Sequence, residues 1–413
     1  MKAVIIICDG LADRPVKELN GKTPIEASNK PALDSLAKRG INGIMDIISP
    51  GIPAGSDTAH LALFGYNPHQ VYRGRGAFEA VGAGIELKPE DVAFRFNFGT
   101  VDNNMIVVDR RAGRIRTETA RELSKSLDSV KLSKYPNVQA IFRHTVEHRG
   151  ALILRGTGLS SEVTDSDPEE LAKVREAKPC VETNVEAKRT ADIINELTKT
   201  TYEILDKHPI NLERKQKKSP PANVLLFRGA GKLPAVTPLT QTYNIKAACI
   251  VLNALVRGVA VTAGMTPIEV PGATGTVETD AEAKAKVAVE SLRKYDLALI
   301  HVKGSDNASH DGDFKQKIMM VEKIDGMVDY LLKNLNLDEV CIALTADHAT
   351  PVSLKAHAGD PVPVSIAGFG VLSDSVSTFS ERDCARGGLG RIRGMDFMPT
   401  LMNLLGKTHK FGA

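Results

Sequence analysis

The chain has 413 residues, 42% hydrophobic and 25% charged, a composition that excludes collagenous, disordered and disulfide-stapled proteins. Its 53 basic and 50 acidic residues leave a formal charge of +3, so no net field selects nucleic acid or an acidic membrane as partner. Cys8, Cys180, Cys249, Cys341 and Cys384 form no Cys-x-x-Cys pair, which reads as reduced thiols in a cytoplasmic protein. The apolar run after Met1 is too short for a signal peptide or a membrane span, so the expected location is cytoplasmic.

Ala3 to Cys8 is a continuous β-branched and apolar run, the pattern of a strand buried on both faces of a parallel sheet. It ends in Asp9-Gly10. Thr23-Pro24-Ile25-Glu26 has the chemistry of a capping box, predicting a helix through Ile25, Leu33 and Leu36 that stops at Gly40. In the middle of the chain, Phe94 to Phe98, Met105 to Val108, Ala140 to His144 and Ala151 to Arg155 read as antiparallel strands, and Glu186 to Asp206 as a helix. Glu213 to Ala222 is basic and proline-containing; it reads as a solvated loop in preference to a phosphate site. The strand–helix grammar then returns. Strands are predicted at 297–302, 340–345 and 362–367, a long amphipathic helix at 314–335, and a last helix capped by Asp396 and running to Leu405. The expected architecture is an α/β core with a mostly parallel sheet, residues 1–75 and 238–413, carrying an inserted α+β domain, residues 76–237.

Functional residues in open parallel sheets gather beyond the carboxyl ends of the strands. Asp9, Asp306 with His310, and Asp347-His348 all occupy such positions, and His357 precedes another strand. One strand-end Asp is ordinarily a turn or cap residue. Three such clusters of carboxylate and imidazole instead suit a borderline divalent metal, and their number suggests two ions. Ser56, in the small-residue turn Pro53-Ala54-Gly55-Ser56-Asp57, stands before an apolar helical stretch. There it is either an N-cap or a nucleophile, since a serine beside a metal loses its proton more easily. His60 reads as structural support.

Together these residues resemble the two-metal site of the alkaline phosphatase superfamily. More closely, the chain resembles the cofactor-independent phosphoglycerate mutases of archaeal type over nearly its whole length. The resemblance includes Asp9-Gly10-Leu11-Ala12-Asp13-Arg14-Pro15, Gly55-Ser56-Asp57-Thr58-Ala59-His60, Arg228-Gly229-Ala230-Gly231 and His310-Asp311-Gly312-Asp313-Phe314. It implies a three-layer αβα core. It also implies two divalent ions, Mn²⁺ foremost, with Zn²⁺, Co²⁺ and Mg²⁺ as alternatives. One ion would be held by Asp9, Ser56, Asp347 and His348, the other by Asp306, His310 and His357. Ser56 would carry the phosphoryl group during interconversion of 3- and 2-phosphoglycerate. Two departures stand out: the turn reads Gly55-Ser56-Asp57 rather than the Asn-Ser-Glu of the bacterial type, as expected for the archaeal branch, and Ser305 and Ser309 stand where that branch usually has a Thr before Asp306 and a Gly before His310.

The same resemblance offers Arg228, in a Leu-Phe-Arg-Gly turn, and Lys246 as substrate-binding cations. His148, Arg149, Asp165 and Asp167 of the insert would complete the pocket, the two Asp near the glycerate hydroxyls. Asp167-Pro168 also reads as a helix opening. The expected partner is a small-molecule substrate, with no nucleic acid or membrane; a homo-oligomer stays open. The alternatives are another metal-dependent phosphomutase or phosphatase of the superfamily, or a metal-storing structural protein. A sulfatase is disfavoured, because no Cys/Ser-x-Pro-x-Arg surrounds Ser56.

Overall fold

The computed structural model describes every residue except Phe369, Phe411 and Ala413. The chain forms two compact units, Met1–Tyr72 with Val236–Ala413, and Arg73–Ala235. The strands are β1 (Lys2–Cys8), β2 (Gly40–Asp46), β3 (Val92–Val101), β4 (Val107–Asp109), β5 (Gln139–His144), β6 (Arg149–Arg155), β7 (Val224–Gly231), β8 (Ala247–Ile250), β9 (Thr266–Pro267), β10 (Leu297–Val302), β11 (Val340–Thr345), β12 (Val362–Ala367) and β13 (Gly390–Arg393).

The first unit is built on an eight-stranded sheet in the order β13-β2-β12-β11-β1-β10-β8-β9. β12 runs antiparallel to both its neighbours, and every other pairing is parallel. β1 lies between β10 and β11, and Ala3 to Cys8 are fully buried, as a strand covered on both faces requires. The carboxyl ends of β1, β10 and β11 therefore share one edge of the sheet. β12 is reversed, so the segment entering it, with His357, arrives at that same edge.

The Thr23 capping box forms, with Glu26 N–H on Thr23 Oγ1 and Thr23 N–H on Glu26 Oε2. The single helix expected there is two, Pro24–Ala27 and Pro31–Lys38. Pro31 explains the break: a residue before proline is driven out of the α region, and Lys30 stands at φ −142°. Asp396 is not the cap of the last helix, which spans Gly394–Leu404; its carboxylate reaches back to accept from Arg393 N–H. The long helix is Phe314–Asn334.

The second unit holds a five-stranded sheet, β4-β3-β6-β5 with β7 on the other side of β3, in which all pairings are antiparallel. Phe94, Phe96 and Phe98 alternate to one face of β3 and pack with Phe142 and Phe227. The helix Val185–Asp206 packs against β7. Gly150, opposite Phe96, has to be glycine because a Cβ there would lie 2.1 Å from the ring. The basic stretch at 213–222 is partly helical, within Pro209–Gln216. Its Arg214 donates to Pro220 O, which closes the segment on itself, and to Ala112 O, which ties it to the loop after β4. No described helix is long and apolar enough to cross a membrane.

Candidate active site

In the first unit, β1 delivers Asp9, β10 is followed by Lys303 and the helix Gly304–Asp311, and β11 by Asp347 and His348. The helix places Asp306 and His310 one turn apart, so both side chains share a face. Asp9, Asp306, Asp347 and His348 are all at least 97% buried. Ser56 is the first residue of the helix Ser56–Leu63. Its N-cap is Gly55, so neither Ser56 nor Asp57 caps it. Ser56 Oγ lies 3.5 Å from His348 Nε2.

The imidazoles are oriented by their other nitrogen. Nδ1 of His310 lies 2.8 Å from Lys355 O, that of His357 2.8 Å from Ala54 O, and that of His348 2.9 Å from Thr350 Oγ1. A carbonyl only accepts, so His310 and His357 donate from Nδ1 and a neutral ring presents a bare Nε2. Those Nε2 atoms lie 3.3 Å and 3.6 Å from Asp306 Oδ1. His348 Nε2 stands 3.3 Å from Asp9 Oδ1 and 3.4 Å from Asp347 Oδ2. Asp9 Oδ1 and Asp347 Oδ2 are buried with no hydrogen-bond partner. Lone pairs facing carboxylate oxygens, together with orphaned buried oxygens, fit a divalent cation. Three overlapping groups bring their ligand atoms within 4.8 Å of one another: Asp9–Asp347–His348, Asp306–His348–His357 and His60–His301–Asp347.

Electrostatics agree. Burial raises the Asp347 carboxyl to about 7, and the nearby Asp9 carboxylate adds to the effect. Burial works against the His348 imidazolium, yet Asp347 and Asp9 outweigh it and lift its pKa to about 9. Asp9 is held well below the carboxylate range: burial opposes this, but Lys303, His301 and His348 prevail. The acids thus favour the charged forms of His348 and Lys303, while burial lowers the pKa of His60, His301 and His357.

Sequence reasoning did not single out Lys303, His301 or Thr350. Lys303 Nζ lies 3.0 Å from Asp9 Oδ2 and 2.8 Å from Asp306 Oδ2, bridging the two acids. Its position directly after an apolar strand is the signal that could have found it. His301 Nε2 is 3.2 Å from Asp9 Oδ2, and a lone His inside the strand Leu-Ala-Leu-Ile-His-Val was the clue. His60 has its Nδ1 2.7 Å from Ser56 O, tying the second turn of the helix to the serine.

Lys246 is not brought to this cluster. It precedes β8, at the amino edge of a strand parallel to β10, where its backbone pairs with Asp296. The acids and imidazoles lie beyond the opposite, carboxyl edge.

In the second unit, Arg228 lies within β7 rather than in a turn, opposite Arg95 on β3. Arg149 on β6 pairs with Asn97. By strand alternation, these residues share the face opposite the phenylalanines. Asp167 is fully buried and already engaged, by Arg110 Nη2 at 2.8 Å and by Glu169 N–H at 2.9 Å. Arg228 meets Glu169 at 2.6 Å and Asp167 at 3.8 Å. Asp165 accepts from Gly229 N–H, and burial raises its pKa. Asp167-Pro168 opens no helix. His148 is 4% exposed, and burial reinforced by Arg149, Arg111 and Arg95 lowers its pKa to about 4, so its ring is neutral at pH 7. Arg95 and Arg110 were not expected from the sequence.

Comparison with known proteins decides the family. A protein 50% identical over 413 residues, "2,3-bisphosphoglycerate-independent phosphoglycerate mutase 1" of Methanocaldococcus jannaschii, is matched across 100% of this chain and 99% of its own. The chain belongs to the 2,3-bisphosphoglycerate-independent phosphoglycerate mutase family. The family model of that description matches residues 37–211. The mutase of Pyrococcus furiosus is 48% identical over 414 residues, covering 100% of this chain and 99% of that one. Among solved structures, a Pyrococcus horikoshii protein superposes with a TM-score of 0.88 at 40% identity, covering 100% of this chain and 99% of its own. The cofactor-independent phosphoglycerate mutase of Thermoplasma acidophilum gives 0.72 at 35%, with 98% and 100% covered. The chain is therefore an enzyme of this family, with residue groups suited to binding metal.

Proposed function

We propose that this chain interconverts 3- and 2-phosphoglycerate by intramolecular phosphoryl transfer through Ser56, at a site for two divalent cations. The observation that carries the reading is Ser56 Oγ at a helix N-terminus, 3.5 Å from His348 Nε2 and beside buried acids with unpartnered oxygens. Asp9, Ser56, Asp347 and His348 would hold one cation, and Asp306, His310 and His357 the other. Such cations supply charge neutralisation for the phosphoryl oxygens and lower the cost of ionising a hydroxyl; Mn²⁺ is the proposed occupant.

In the forward half, Ser56 Oγ gives up its proton and attacks phosphorus. The bond to the 3-oxygen of glycerate breaks, and that oxygen takes a proton. In the return half, the 2-oxygen loses its proton and attacks the same phosphorus, the bond to Ser56 Oγ breaks, and Ser56 Oγ takes a proton back. Helix N–H groups beside Ser56 favour the anion in both halves. His60 holds the serine's backbone in place. Arg228, Arg149 and His148 are proposed to hold the glycerate, joined here by Arg95 and Arg110, while Asp165 keeps its role near the hydroxyls. Asp167 becomes the anchor of Arg110 and Arg228 rather than a hydroxyl ligand. Phosphoglycerate as partner follows from the family, and a cytoplasmic location accords with five unpaired cysteines.

The test is turnover of 3-phosphoglycerate in an enolase-coupled assay after chelation, with and without restored Mn²⁺, with inorganic phosphate followed in parallel. The expected result is metal-restored formation of 2-phosphoglycerate with little free phosphate. Phosphate as the main product would make the chain a phosphatase. Full activity without metal would remove the two-cation site.

A further inference from the structure

Thr350 is fully buried, and its hydroxyl touches a residue of each proposed cation position. Oγ1 lies 3.1 Å from Asp306 Oδ1 and 2.9 Å from His348 Nδ1. The direction of these bonds follows from the donor inventory. An ionised carboxylate only accepts, so the single hydroxyl proton goes to Asp306. The oxygen then accepts from His348 Nδ1–H, which leaves Nε2 as the ring's ligand atom. The chain His348 Nδ1–H to Thr350 Oγ1–H to Asp306 has one sense.

The hydroxyl is fixed from behind. Thr350 N–H donates to Ala12 O at 3.1 Å, and Thr350 O accepts from Lys317 Nζ at 3.0 Å. Lys317 is itself fully buried and also binds Ala12 O at 3.3 Å and Asp13 Oδ2 at 2.7 Å. The loop after β1 and the loop after β11 are thus stapled together beneath the hydroxyl. Gly10 makes the room: at φ +63° it suits only glycine well, and a Cβ there would stand 2.7 Å from Thr350 Oγ1.

We propose that Thr350 couples the two cation positions, so that filling one orders the other. A cation on His348 Nε2 fixes the ring and makes Nδ1–H a stronger donor. Thr350 is polarised in turn, and Asp306 is held in its ligating orientation. This rests on the two-cation reading. Thr350 is a positioning residue: it acts through His348 and Asp306, as outer hydrogen-bond partners of metal ligands commonly do, at ~10–100-fold in affinity.

The experiment is calorimetric titration of the metal-free full chain with Mn²⁺, for wild type, Thr350→Val and Thr350→Ser. Valine keeps the shape and both backbone bonds but removes the hydroxyl; serine restores it. For wild type, two ions per chain are expected. In Thr350→Val, both affinities should fall ~10–100-fold, and the factor by which one ion strengthens the other should drop about tenfold. Thr350→Ser should return both quantities to within about threefold of wild type. Melting of the metal-free proteins shows whether valine has simply unfolded the site. If it has, Thr350→Ser against wild type decides, with its affinities and coupling retained in favour and lost against. Two ions bound by wild type with coupling unchanged in Thr350→Val would overturn the proposal alone. A wild-type chain that binds no second ion would overturn the two-cation reading and the coupling with it.

Discussion

The two units concentrate opposite charge, and they do so at different depths. In the first, Asp9, Asp306 and Asp347 are almost fully buried, compensated by Lys303 and by imidazoles, and two carboxylate oxygens still lack partners. In the second, the Arg110 and Arg228 side chains are 29% exposed and meet Asp167 and Glu169. Buried acids without partners are costly, and a resident cation offsets the cost. Half-exposed guanidiniums held by acids stay accessible to a soluble anion and recognise carboxylate or phosphate in bidentate fashion. The proposed function puts the chemistry in the buried cluster and substrate retention in the open one, and the contrast in burial and charge is what supports that division.

The comparison breaks most sharply at Ser56. Ser56→Ala should lower turnover roughly 10⁴-fold or more, as loss of a covalent nucleophile does, with an unchanged circular dichroism spectrum. Turnover within tenfold of wild type would place the chemistry elsewhere. Arg228→Ala tests the open cluster. Removing a charge-assisted contact should cost ~2–4 kcal/mol, roughly 30- to 1,000-fold in kcat/KM, with metal content unchanged. It should also raise the ratio of inorganic phosphate to 2-phosphoglycerate, since under the proposed mechanism glycerate held less long would leave a phosphorylated Ser56 to water. An unaltered ratio would confine Arg228 to binding. Lys246→Ala should change kcat/KM by less than about twofold, because the residue sits at the amino edge of the sheet. A tenfold loss would show that this edge takes part after all.

Local chemistry made much of the first unit legible. The apolar runs at Ala3–Cys8, Leu297–Val302 and Val340–Thr345 form strands because nothing competes with a doubly covered position, and acids at their ends gather as the parallel arrangement dictates. β2 was not legible, for a packing reason. Its sequence Gly-Ile-Asn-Gly-Ile-Met-Asp has poor strand propensity, yet a Cβ on Gly40 would lie 2.5 Å from Ile366 O and one on Gly43 2.6 Å from Gly390 O. Those glycines exist for neighbours distant in sequence. Lys246 was carried over from the family resemblance, and a resemblance in sequence does not say which end of a strand a residue occupies; here it precedes β8. Arg110 and Thr350 escaped notice because their value lies in what they hold: Asp167 in one case, Asp306 with His348 in the other.

The central claim is that Ser56 carries the phosphoryl group. Its most direct test is to mix the metal-loaded enzyme with 3-phosphoglycerate, quench in acid within the first turnovers, and map phosphorylated peptides by mass spectrometry. The account predicts one substoichiometric phosphopeptide, with the phosphate on Ser56 and absent from Ser56→Ala. Phosphate on another residue, or productive turnover with no phosphopeptide at any quench time, would contradict it.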